Sequence, residues 1–75
     1  MTNKELQKVI VTNLKNYRVS AGMTQQELAD ATGIHRPNIA RMEHVGGHMP
    51  SLYTLNAVAN ALKVSLIDLM GVRHA

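Results

Sequence analysis

QQELADATGIHRPNIARM, residues 25–42, is the stretch on which the reading of this chain turns. Leu28 and Ala29 mark the inner side of one short helical pattern, Gly33 interrupts it, and Ile34, Ile39 and Met42 carry apolar spacing into a second. Two helices crossing at a steep angle need a small residue where the backbones approach. They also need a glycine able to take positive φ in the turn and an apolar anchor beyond it. Such a pair pushes its second helix outward, where it can enter a DNA major groove. The stretch predicts a DNA-reading element.

The flanking residues extend this to five helices. Over 3–20, Leu6, Val9, Ile10, Leu14 and Tyr17 recur at helical spacing, and Lys4, Lys8 and Lys15 fall on roughly the opposite face. That lysine face is read as solvated, with a second stripe of DNA-backbone contacts as the alternative. Gly22 ends the helix in a left-handed conformation. Thr24 and Glu27 form a capping box for a second helix over 25–31, which stops at Gly33. A third, over 36–43, tolerates Pro37 in its first turn because no partner is needed there for the missing N–H. His35 stands at its N-cap, where Ser, Thr, Asn or Asp is favoured. Residues 45–49 form a loop closed by Pro50. Ser51 caps a fourth helix over 52–62, with Leu55, Val58, Ala59 and Leu62 as its buried stripe. Ser65 and Asp68 cap a fifth over 66–70, ended by Gly71. The β-branched run Val9-Ile10-Val11 lies inside a strong helical period and lacks flanking turn signals, so no strand is expected. The predicted fold class is all-α, one domain over 1–75.

Seventy-five residues allow one thin core. There is no cysteine, so disulfides and thiolate metal sites are excluded, and a reducing cytoplasm is the expected location. The apolar run Val9 to Val11 is far too short for a signal peptide or a membrane span. Eight Lys and Arg stand against five Asp and Glu, a formal charge of +3. That balance suits a polyanion, whose condensed counterions are released when its phosphates are neutralised, but the excess is modest.

From Leu14 to Gly71 the chain resembles the Cro and phage-repressor type of helix-turn-helix domain, the xenobiotic-response-element family of bacterial regulators. The matching strings are Leu14-Lys15-Asn16-Tyr17-Arg18, Met23-Thr24-Gln25-Gln26-Glu27-Leu28-Ala29, Thr32-Gly33-Ile34-His35-Arg36, Ile39-Ala40-Arg41-Met42-Glu43, Pro50-Ser51-Leu52 and Leu62-Lys63-Val64-Ser65-Leu66. The resemblance implies a compact five-helix, lambda-repressor-like domain with its helix-turn-helix at about 24–43. It implies a partly buried ion pair between Arg18 and Glu43. It places Gln25 against the DNA backbone, where a helix N-terminus offers free amides and a positive dipole end. Arg36, Pro37, Asn38 and Arg41 match the outward positions of the recognition helix, and Gln26 and His35 are counted with them as DNA-binding. Arg can grip guanine O6 and N7, Asn can grip adenine N6 and N7, and the Pro37 ring can pack on a thymine methyl. Spacing alone does not divide these residues between base-reading and phosphate-holding.

The chain departs from the family pattern after Glu43, where His44-Val45-Gly46-Gly47-His48-Met49 carries no Lys or Arg. Phosphate contacts from that loop would have to come from the Gly46 and Gly47 amides, or from His44 and His48 when protonated. Lys63 stands where a helix-ending glycine is common. His44 and His48 are four apart, but two glycines intervene and no third ligand is near, so no metal site is read. No nucleophilic triad, phosphate loop or carboxylate pair is present, so neither enzymatic activity nor a cofactor is expected. Met23, Met42 and Met70 read as core filler.

The expected function is a sequence-specific transcriptional regulator, a repressor, binding double-stranded DNA at a two-fold symmetric operator as a homodimer. The dimer surface is expected on the last helix, about 65–71, with Tyr53, Ile67 and Met70 as contacts. The alternative is that these residues close the monomer's own core. A second functional reading is an antitoxin-type module that grips a protein partner, with DNA binding secondary. No membrane association is expected.

Overall fold

Five helices follow one another in this computed structural model, which describes residues 1–47 and 49–71: α1 (Asn3–Ser20), α2 (Gln25–Thr32), α3 (Arg36–Met42), α4 (Leu52–Leu62) and α5 (Leu66–Leu69). No strand occurs among the described residues. Their starts are written in the caps. The Thr2, Thr24 and Ser65 hydroxyls accept from the amides of Glu5, Glu27 and Asp68, whose carboxylates accept in return from the cap amides. Ser51 accepts from the Thr54 amide at 3.1 Å. Each such bond satisfies an amide that has no partner within its own helix. The Glu5 carboxylate, bonded by the Thr2 amide and hydroxyl, is held below the ordinary glutamate range.

Three helix ends differ by one residue from their sequence-predicted positions. α2 runs on to Thr32, whose hydroxyl donates to the Leu28 carbonyl at 2.8 Å and closes the last turn. α3 stops at Met42, and Glu43 is its cap. α5 stops at Leu69 with Met70 as cap. His35 makes no capping bond through its side chain. Lys63 ends α4 in the left-handed region at φ +59°, a conformation that a side chain tolerates at a cost.

The five largest fully buried side chains come one from each helix: Leu14, Leu28, Ile39, Val58 and Leu69. Ala29, Met42, Ala59 and Leu62 join them in a single cluster, and Tyr17, Met23, Ile34, Ala61 and Val64 pack around it. α2 packs on α3 and α4, while α5 packs on α1 and α4. The inner face of α1 is rotated from the one its apolar spacing marks. Val11 is buried with Ile10 and Leu14, whereas Leu6, Val9 and Tyr17 are half-buried. α5 has four residues and covers the Val9 and Asn13 side over only one turn.

Two side chains of α1 hold distant backbone. Asn13 donates to the Leu69 carbonyl at 3.1 Å, anchoring the end of α5. Gln7 donates to the Gly47 carbonyl at 2.9 Å and accepts from the Gly46 amide at 3.4 Å, fastening the loop after α3. Gly47 must be small, since a Cβ there would lie 2.6 Å from the Arg41 carbonyl oxygen. Among the described residues no helix is long and apolar enough to cross a membrane.

Candidate nucleic-acid interface

Burial divides α3 cleanly. Ile39 and Met42 are buried, while Arg36, Pro37, Asn38 and Arg41 are exposed. The apolar pair claims one side of the helix; at about 100° per residue Pro37, Ala40 and Arg41 lie opposite it, and Arg36 and Asn38 stand on its flanks. Arg41 Nη1 donates to Asn38 Oδ1 at 3.4 Å along this exposed face. His35 is also exposed, and its carbonyl accepts from the Asn38 amide at 2.8 Å in the first turn. A groove of about 440 Å³ lies between this face, at His35, Asn38 and Arg41, and the start of α4, at Pro50 and Thr54.

One carboxylate sets the pose of α3. Arg18 Nε donates to Glu43 Oε2 at 2.6 Å and Arg18 Nη2 to Glu43 Oε1 at 3.0 Å, a two-pronged pair. Arg18 Nη1 donates to the Met23 carbonyl at 2.6 Å, and Gln25 Nε2 donates to Glu43 Oε1 at 3.1 Å. Glu43 therefore ties α1 and the first residue of α2 to the end of α3. The side chains of Arg18 and Glu43 are 11% and 3% exposed, so water competes little for these bonds. The hydrogen bond to Glu43 holds the Arg18 guanidinium above its ordinary value, against the opposing effect of burial.

The other candidates fall in three groups. Gln25 stands at the start of α2, but its side-chain amide is spent on Glu43, so what it offers a ligand is its carbonyl and its remaining N–H. Gln26 is exposed and donates to Asp30 at 2.9 Å along the same helix. Tyr53 and Ile67 are exposed at 89% and 61%, whereas Met70 is half-buried, so the three differ in what they present to a second chain.

The loop after Glu43 is not an amide cradle. The Gly47 amide donates to the His44 carbonyl at 3.0 Å and the Gly46 amide turns to Gln7, so the two donors that could have held a phosphate bond within the protein. The physical reason is the tight turn that Gly46 makes at φ +94°, which closes the loop on itself. His48 lies outside the described residues. Sequence spacing does not reveal Gln7 or Asn13, although a polar residue among the inward positions of α1 is the signal that could have found them.

Comparison with known proteins comes to the same architecture. The helix-turn-helix family model matches residues 14–69. The chain is 40% identical over 62 residues to the SPbeta prophage-derived uncharacterized HTH-type transcriptional regulator YonR of Bacillus subtilis strain 168, over 83% of this chain and 56% of that protein. It is 34% identical over 58 residues to an uncharacterized HTH-type transcriptional regulator of Archaeoglobus fulgidus, over 77% of this chain and 81% of the relative. The crystal structure of an HTH_3 family transcriptional regulator from Vibrio cholerae superposes with a TM-score of 0.84 at 27% identity, over 93% of this chain and 39% of that one. That of the clp gene regulator ClgR from C. glutamicum does so with a TM-score of 0.76 at 28% identity, over 88% of both chains. The chain thus spans about half the length of the B. subtilis protein and less of the V. cholerae one.

Proposed function

The chain belongs to the helix-turn-helix family, and we propose that it is a transcriptional repressor that binds a two-fold symmetric operator as a homodimer, with α3 in the major groove. The observation that carries this reading is the division of α3. Arg36, Pro37, Asn38 and Arg41 face outward while Ile39 and Met42 hold the helix to the core. Relatives named as transcriptional regulators support it.

In this reading Arg36, Asn38 and Arg41 meet base edges, Pro37 packs on a thymine methyl, and His35, Gln25 and Gln26 hold the backbone at the adjoining helix ends. A single short helix buries too little surface for a specific site, and two copies place half-sites about 34 Å apart, one turn of the duplex. The second copy docks through the segment about 65–71, where Ile67 is exposed, together with Tyr53. Met70 completes the contact. Repression is the mode assigned because occupying a promoter site requires no further surface. DNA as the partner places the protein in the cytoplasm. In vitro selection from random duplexes, with sedimentation of the recovered complex, tests the whole reading. The expected result is an inverted repeat bound by two chains. No enrichment over the starting pool refutes DNA recognition, and a single asymmetric site bound by one chain refutes the dimer.

A further inference from the structure

The loop after α3 holds no Lys or Arg, and none occurs anywhere from Met42 to Leu62. Its Gly46 and Gly47 amides are committed within the protein. Arg18 is neutralised by Glu43. A protein that reads DNA through α3 therefore lacks phosphate-gripping charge on the C-terminal side of its recognition helix. Yet the same loop is fastened by Gln7 to α1, where Lys4 and Lys8 flank Gln7 in sequence and are exposed.

The two flanks of α1 can be told apart by what they hold. Val9 and Asn13 face α5, since Asn13 bonds the Leu69 carbonyl and a Cβ on Gly71 would collide with Val9. Gln7 and Arg18 face the end of α3 and its loop. At about 100° per residue, Lys4, Lys8 and Lys15 fall within about 40° of one another around the axis, and the centre of their stripe lies about 60° from Arg18 and 80° from Gln7. From the α5 flank the stripe is about 140° away. The three lysines thus form one exposed ridge on the side of α1 nearer the end of α3 and its loop. Glu5, the acidic neighbour, has its carboxylate folded back on the Thr2 amide at 2.9 Å. Lys4 and Lys8 are four apart, a spacing at which like charges repel and which an anion relieves.

We propose that Lys4, Lys8 and Lys15 grip the DNA backbone beside α3, supplying from α1 the phosphate contacts that the loop after α3 cannot make. The proposal rests on the DNA-binding reading above. The ridge contributes affinity without sequence preference, because phosphates carry none. Its partner is a nucleic-acid backbone, since release of condensed counterions rewards a row of cations laid along it.

The test is the salt dependence of binding, measured by fluorescence anisotropy on a random-sequence duplex and on the selected operator. The variants are the triple substitution Lys4→Gln, Lys8→Gln, Lys15→Gln and its arginine counterpart. Gln and Arg are both good helix formers, and thermal melts verify that each triple variant is folded. The expected result is a log affinity against log salt slope shallower by about 0.9 for each lost contact in the glutamine variant. With three contacts, a fourfold rise in salt then costs it about 40-fold less affinity than it costs the wild type. The operator and the random duplex are weakened equally, and the arginine variant keeps the wild-type slope. An unchanged slope in the glutamine variant overturns the ridge while leaving DNA recognition standing, as does a loss confined to the operator. A wild type that binds neither duplex overturns both readings.

Discussion

Removing either end of the Arg18–Glu43 pair should cost far more than removing both. The side chains are 11% and 3% exposed, and the pair is two-pronged at 2.6 and 3.0 Å. Arg18→Met leaves the Glu43 carboxylate facing the Gln25 amide, its remaining bonded donor among the described residues, and strips the Met23 carbonyl of the Arg18 bond. Glu43→Leu leaves a guanidinium held by that carbonyl alone. Each single variant is expected to lose about 3–5 kcal/mol, the cost of a charge stranded out of water. A chain of this length has about 4–11 kcal/mol in total, so either variant sits near the edge of folding. At about 4–8 °C per kcal/mol, the melting temperature falls by at least about 12 °C. The double variant, apolar at both positions, strands no charge and should recover most of the loss. Urea unfolding followed by circular dichroism, carried through all four corners of the cycle, measures the coupling. We expect more than about 2 kcal/mol. A coupling of about 1 kcal/mol or less, the level of exposed ion pairs, would refute the view that Glu43 anchors α3.

Further expectations follow from single residues. Arg41→Ala should weaken operator binding by about 1–3 kcal/mol while leaving the melting temperature unchanged, and an unaltered dissociation constant removes Arg41 from the interface. Lys63→Gly should stabilise the fold by about 0.5–1 kcal/mol, since glycine meets φ +59° without a Cβ clash; a lower urea midpoint would contradict this. Gly47→Ala should destabilise by about 1–3 kcal/mol, because the added methyl meets the Arg41 carbonyl oxygen, and an unshifted midpoint would show that the loop gives way freely. The lowered Glu5 value means that its contribution is complete above the ordinary glutamate range and is lost as pH falls through the folded value. The protection of the Glu5 amide, its exchange rate measured against the intrinsic rate at the same pH, should therefore fall on acidification in the wild type and be absent at every pH in Thr2→Ala. Protection that ignores pH in the wild type would exclude the linkage.

The helices were legible because their starts and stops are local. Thr24 with Glu27, Ser65 with Asp68, Gly22 and Gly33 act within a few residues of one another, and the α4 stripe Leu55, Val58, Ala59 and Leu62 is buried at the spacing its sequence shows. What escaped was long-range. Gln7 meets a carbonyl 40 positions away and Asn13 one 56 away, so a polar residue at an inward position can be noticed but its partner cannot be read from local spacing. The inner face of α1 follows only in part from its spacing: Ile10 and Leu14 are buried, Leu6, Val9 and Tyr17 are half-buried, and Val11 joins the buried side. On α3 the inner and outer sides follow from Ile39 and Met42 alone. The turning of the Gly46 and Gly47 amides inward depends on Gln7, which belongs to another helix.

α3 is seven residues long, and a peptide of that length has almost no helical content in water. Its shape is borrowed from the buried Ile39 and Met42 and from the Glu43 carboxylate locked at its end. For the proposed role of α3, the consequence is a probe already formed before any duplex arrives. Association then requires no coil-to-helix ordering, and the entropy that a disordered reader would forfeit on docking has been spent during folding.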